Sequence, residues 1–313
     1  MTKFIVGRSL RAFVIFMIAT IVVFFGLRVA PGSVEDALIN PAFRAAGSAT
    51  LVENLQARLG LDKPLMLQYL IFLKNLVTLD LGISLISAKP ISDIIKDAGL
   101  NTLVLAGAAT FLTYTLAIPL GILAAWKRNS PLDQGAMLIA VLGMGIPNFF
   151  LAILLIQWFA VDLGWLPVAG SGSFEHIVLP AAVLAAESVA INLRMMRSSL
   201  LEQLGQDYIR TLHAKGLSPR RIVTVHAVRN ALPPVIALGG LLLRNLLAFT
   251  LIVEVIFRWP GLGSQIVDAV LKNDFTLAQV LSVLLILAVI FFNLLADVAH
   301  QLVDPRVRER ARS

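Results

Sequence analysis

Long apolar runs alternate with short clusters of charge along this chain. Six runs approach the ~20 residues that a bilayer core requires. They cover Ala12 to Leu27, Thr102 to Trp126, Ala136 to Val161, Ile177 to Met196, Pro233 to Phe257 and Ala278 to Val298. Charged residues gather between the runs, whereas a soluble domain would spread them as a solvated face along every helix and strand. The pattern predicts an all-α, polytopic membrane bundle of about six transmembrane helices. A shorter run, Leu65 to Leu79, carries Lys74 and Asn75 and is read as a surface or interfacial helix.

Composition agrees with the pattern. Of 313 residues, 58% are hydrophobic and 14% charged, against roughly half apolar and about a quarter charged in soluble domains. Cysteine is absent, which removes disulfides, thiolate nucleophiles and cysteine metal sites. The first run, preceded by Lys3, Arg8 and Arg11, has the length of a signal peptide. However, Arg28 and Pro31 stand where small cleavage-site residues would be wanted, and retaining the helix gives an even number of spans.

Basic residues resist translocation and mark cytoplasmic segments. With the amino terminus inside, sixteen of the 26 lysines and arginines fall on inner segments, among them Lys127, Arg128, Arg194, Arg197, Arg220, Arg221 and Arg229. The short outer segments hold Arg258 and Lys272. The net charge of +7 is therefore accounted for by orientation in a membrane, with no nucleic-acid partner. Both termini are expected to be cytoplasmic.

This layout divides the chain into an N-terminal transmembrane helix (1–31), a small external helical segment (32–99), a five-helix core (100–303) and a cytoplasmic tail (304–313). In the external segment Leu51, Leu55 and Leu59 recur at helical spacing before Gly60 and Pro64 stop the run. Within the core, 198–232 is an inner loop with two helix-like stretches, broken at Gly216, Ser218 and Pro219. A plain connector would be much shorter, so a docking element is expected there. Trp259 to Phe275, with Pro260, Gly261 and Gly263, is read as a rigid turn on the outer face.

The chain offers little reactive chemistry. No catalytic constellation is apparent, and His176, His213, His226 and His300 lack metal-ligand spacing. No phosphate loop of the form GxxxxGK[ST] is present. If ATP drives transport, another polypeptide hydrolyses it. Ionisable residues inside spans are costly and are functional candidates by default. Glu187, Arg244 and Glu254 qualify; Glu187 and Arg244 either neutralise each other or line a water-filled path. Pro119, Gly121, Gly143, Gly145, Pro147 and Pro180 interrupt the spans.

Several blocks, in order, resemble the permease subunits of ABC importers for peptides and nickel. They are Leu27-Arg28-Val29-Ala30-Pro31-Gly32, Leu59-Gly60-Leu61-Asp62-Lys63-Pro64, and Leu79-Asp80-Leu81-Gly82-Ile83-Ser84. The match continues with Asp207-Tyr208-Ile209-Arg210-Thr211, Ala214-Lys215-Gly216-Leu217 and His226 to Pro233. Glu254 with Phe257 and Trp259 to Gly263, then Asp304-Pro305-Arg306, close it.

The resemblance implies a type I importer permease working by alternating access. Its coupling helix would sit around Arg210 to Gly216, with Tyr208, Arg210, Thr211, Ala214, Lys215 and Gly216 meeting an ATPase cleft. Leu212 stands where related permeases often have alanine. Implied partners are a second homologous permease, two ABC ATPase subunits or domains, an external solute-binding protein and membrane lipid. ATP and Mg would lie on partner subunits, with no cofactor bound by this chain. Trp259, Pro260, Gly261 and Gly263 become an outer gate or docking surface. Glu175 to Pro180 and Ala190 to Arg194 are similar to nickel-import permeases, and peptide permeases share most of this. Nickel, as a chelate, or short peptides are the implied solutes, with Arg244 positioned to meet a carboxylate. The contrasting reading is a self-contained secondary transporter or channel in which Glu187 and Arg244 couple ion movement to the solute.

Overall fold

The computed structural model describes residues 2–29 and 62–303, with the side chains of 2–6, 240–244, 247–248 and 296–303 left out. The expected helical repeat at Leu51, Leu55 and Leu59 and the terminal Asp304-Pro305-Arg306 block lie outside the described residues. In chain order the helices are α1 (Thr2–Val29), α2 (Leu65–Val77), α3 (Ile91–Trp126), α4 (Pro131–Gly145), α5 (Asn148–Leu155), α6 (Glu175–Leu204) and α7 (Asp207–Ala214). There follow α8 (Pro219–Arg221), α9 (Val228–Ile256), α10 (Leu262–Leu271) and α11 (Phe275–Val303). Wider π-type turns extend α5 over Ile156–Asp162 and join α8 to α9 over Ile222–Ala227.

Among the described residues, five helices are long and apolar enough to cross a membrane, and the α4–α5 pair makes a sixth if counted as one span. The sequence pattern found these spans and misjudged four boundaries. The expected single span over Ala136–Val161, interrupted at Gly143, Gly145 and Pro147, is two helices meeting at 112°. Proline disfavours helical backbone in the residue before it, and Ile146, before Pro147, is extended at φ −89°, ψ 121°. α3 begins at Ile91, so the division at 99/100 falls inside one helix. The charges of Asp93, Lys96 and Asp97 had set its first turns apart from the apolar run and assigned them to the external helical segment. The second helix-like stretch of the 198–232 loop runs on through α8 and the π-type turn into α9. Finally, the expected rigid turn at Trp259–Phe275 is mostly helix α10.

Two compact units make up the structure. One comprises Met1–Ile5, Thr102–Trp259 and Phe291–Ser313. Its core gathers Leu105 and Ala109 of α3, Val183 and Leu184 of α6, and Leu246, Val253 and Phe257 at the α9 end. Lipid offers no hydrophobic drive between helices, so close backbone approach through small residues takes its place. A methyl added at Gly121 would stand 2.9 Å from the Leu193 carbonyl and 2.7 Å from Met196 Cβ. One at Gly143 would stand 3.1 Å from the Ala186 carbonyl. Thus α6 is approached closely by both α3 and α4.

The other unit comprises Val6–Asn101 and Pro260–Ile290. The Leu65–Leu79 run forms α2, whose Tyr69 packs edge-on against Phe24 of α1 at 5.3 Å and meets the Thr20 hydroxyl at 2.9 Å. Phe72 lies 5.8 Å from the same Phe24 ring. Asp274 ties this unit together. Its Oδ1 accepts from Leu277 N at 3.2 Å, capping α11, and its Oδ2 accepts from the Ser84 hydroxyl at 2.5 Å. The Ser84 oxygen in turn accepts from Ser87 N at 3.0 Å.

Candidate functional site

The most distinctive surface element is α7. Its sequence puts Ile209 and Leu212 three residues apart, and these two with Tyr208 turn toward the apolar cluster formed by Met196, Leu200, Ile222 and Val223. The Tyr208 hydroxyl also donates to Gln203 Oε1 at 3.1 Å. Of the expected coupling residues, Tyr208 is therefore partly an anchor of the helix. Leu212 belongs to the same inward face, which accounts for an apolar side chain larger than alanine.

Helix α7 ends in a two-bond Schellman arrangement. Gly216 N donates to His213 O at 2.9 Å, and Leu217 N donates to Leu212 O at 3.3 Å. The left-handed residue that this termination needs is Gly216, at φ +75°. Leu217 folds back onto the apolar cluster. The result is a short helix fixed at its base, with Arg210, Thr211, His213, Ala214, Lys215 and Gly216 all exposed. Arg210 pairs with Asp207 at 3.6 Å, both fully solvated, so this ion pair contributes little. Beside the helix lies a groove of about 640 Å³ lined by Tyr208, Thr211, Leu212, Val225, His226, Arg229 and Asn230.

A buried ion pair links this region to the broken span. Arg197 of α6 makes two parallel bonds to Asp133 of α4, Nε to Oδ1 at 2.5 Å and Nη2 to Oδ2 at 2.8 Å. Asp133 also accepts from Asn129 N at 2.9 Å, while its own N–H caps onto the Ser130 hydroxyl at 3.3 Å. Sequence reasoning counted Arg197 only as an orientation charge and did not single out Asp133. The available signal was Ser130-Pro131-Leu132-Asp133, a helix start with proline at the first position and an acid in the first turn.

At the other end of α4, the break opens onto a cavity of about 310 Å³ lined by Gly143 to Phe149, Glu187, Phe249 and Ile252. Irregular backbone at membrane depth is tolerated where it lines a cavity. Glu187, expected to face a path, is half-buried at this cavity. Its envisaged partner Arg244 has a side chain outside the described residues.

Glu254 departs from expectation. It is fully buried, and Oε1 accepts from the Thr102 hydroxyl at 2.6 Å. Its carboxylate is thus built into α3–α9 packing and lines no open path in this conformation. Trp259, Gly261 and Gly263 are likewise buried, with Pro260 intermediate. Pro260 O accepts from Asn101 Nδ2 at 3.0 Å, so these residues shape the chain locally and present no open docking face. Among the described residues no group of three or more His, Cys, Asp or Glu is placed to hold a metal ion.

An all-helical bundle with a broken span beside a cavity, and a short helix exposed between two long ones, has the architecture of a multi-pass membrane protein. The chain belongs to the family of binding-protein-dependent transport system inner membrane components, whose model matches residues 117–309. The N-terminal model of the same systems matches residues 1–106. It is a permease subunit of a binding-protein-dependent ABC importer of the inner membrane. It is 35% identical over 318 residues to the oligopeptide transport system permease AppB of Bacillus subtilis, covering 98% of this chain and 99% of that one. It is also 35% identical over 308 residues to the glutathione transport system permease GsiC of Escherichia coli K12, again covering 98% and 99%. The inward-facing MetNI methionine ABC transporter shares the fold, with a TM-score of 0.57 at 21% identity over 69% of this chain and 99% of that chain.

Proposed function

We propose that this permease carries short peptides, the glutathione class included, inward by alternating access. It works with a second permease subunit, two ABC ATPase subunits and an external solute-binding protein. The termini and α7 lie on the cytoplasmic side, a reading supported by the excess of lysine and arginine on those segments. The exposed face of α7, from Arg210 to Gly216, enters the ATPase cleft. ATP and Mg bind the ATPases, and this chain contributes no cofactor site. The observation that carries the reading is α7 itself: a helix fixed at its base by Tyr208, Ile209 and Leu212, with its opposite face left for a partner. Peptides rather than nickel are favoured because the relatives described above are named for oligopeptide and glutathione transport.

The test is uptake into proteoliposomes. The complete complex should accumulate labelled tripeptide only with ATP, and this chain alone should not accumulate it. Uptake by the chain alone, driven by an ion gradient, would establish a secondary transporter instead.

A further inference from the structure

Glu187 stands in unusual company. A carboxylate at membrane depth is costly unless paired or solvated, yet among the described residues no hydrogen bond or ion pair falls on it. What surrounds it is the cavity at the α4–α5 break, with Met144, Pro147, Phe149, Phe249 and Ile252 on the walls. Phe149 and Phe249 are both exposed. An anionic group beside aromatic rings is the chemistry that selects an organic cation. The carboxylate supplies charge-assisted hydrogen bonds, and ring faces attract ammonium within about 6 Å. Among the described residues Glu187 is the one charged side chain lining the cavity, and a single carboxylate is a poor ligand set for a divalent metal.

We infer that this cavity is a binding subsite for a primary ammonium group, with Glu187 as its counter-ion and Phe149 and Phe249 as its walls. In the peptide reading above, on which this assignment rests, the ammonium is the free amino terminus of the passing peptide. Glu187 is then a specificity residue of the membrane path itself. It requires the solute to present a cation at the point where the span breaks.

The assembled membrane complex, purified without its solute-binding protein, tests this by equilibrium binding of labelled trialanine and N-acetyl-trialanine. The wild-type complex should bind the free-amine probe about tenfold more tightly, the ratio set by about 1.4 kcal/mol. Glu187→Gln should abolish the difference, and Glu187→Asp should keep part of it. In E187Q the complex should still assemble to the wild-type level, which a merely structural role would not allow. Equal binding of the two probes by wild type, no measurable binding of either up to millimolar concentration, or a ratio unchanged in E187Q would overturn the assignment. Failure of the importer reading shows separately, as solute uptake by the wild-type complex without ATP.

Discussion

Replacing Arg197 by methionine removes a planar bidentate cation and leaves the Asp133 carboxylate enclosed. The Asp133 side chain is 4% exposed and that of Arg197 is 21%. Without the guanidinium, Asn129 N is the donor that remains on those oxygens among the described residues. Breaking a fully buried pair from one side costs about 3–5 kcal/mol. Because water already reaches one-fifth of the arginine, we expect Arg197→Met to cost about 2–4 kcal/mol. Asp133→Asn keeps a carbonyl that can accept from Asn129 N and leaves the arginine free to turn toward solvent, so its cost should be about 1–2 kcal/mol. Joining Arg197→Met with Asp133→Leu removes both charges and should recover much of the loss. The assay is denaturant unfolding of the detergent-purified complex for the wild type, Arg197→Met, Asp133→Asn, Asp133→Leu and the double variant, whose cost is compared with the sum for Arg197→Met and Asp133→Leu. Costs that add within about 0.5 kcal/mol would mean that the two residues do not act as a pair, and would refute the linkage of α4 to α6 argued from their geometry.

Other substitutions probe other contacts. Gly216→Asp forces an L side chain to φ +75° at a cost of about 1 kcal/mol and puts an anion beside Lys215. It should uncouple ATP hydrolysis from uptake while leaving the bundle folded, and solute-stimulated hydrolysis at the wild-type level would count against the assignment of α7. Gly121→Ala drives a methyl against the Leu193 carbonyl, which cannot turn aside, and should lower stability by about 1–3 kcal/mol. Gly107→Ala, with nothing within 4 Å, is the neutral comparison, and equal melting temperatures for the two would contradict the packing. Asp274→Ala removes the α11 cap and the Ser84 link together. It should cost about 1–3 kcal/mol and speed proteolytic cleavage near Ser84 to Pro90, whereas an unchanged digestion pattern would show that the tie is dispensable.

The spans were legible because apolar runs near bilayer length have few other uses, and the motif order around α7 was legible because it is local. Pairings between distant residues were not. Arg197 and Asp133 lie 64 positions apart, and each alone reads as a flanking charge. Glu254 looked like a pathway residue because its depth is readable from the sequence, whereas the Thr102 hydroxyl that absorbs it lies 152 residues away. The glycines and proline near Pro147 signalled an interruption without its angle, since a kink of a few degrees and one of 112° use the same residues. The mixed polarity of α10 (Leu262–Leu271) resembled a turn because Gly261 and Gly263 dominate its start.

Helix α6 carries no glycine or proline between Glu187 and Leu204, so over that stretch it behaves as a stiff lever arm. At 1.5 Å per residue the arm is about 26 Å long. Tilting it by roughly 5° about its α7 end carries Glu187 sideways by about 2 Å, comparable with the helix shifts of known switching proteins. With α4 fastened to the arm at Arg197–Asp133 and again at Gly143–Ala186, little of that swing dissipates on the way. It arrives at the Ile146–Pro147 joint, the point least able to resist it. If α7 is gripped as proposed above, arm length and joint compliance would set the stroke, and the strength of the grip would decide only whether it occurs.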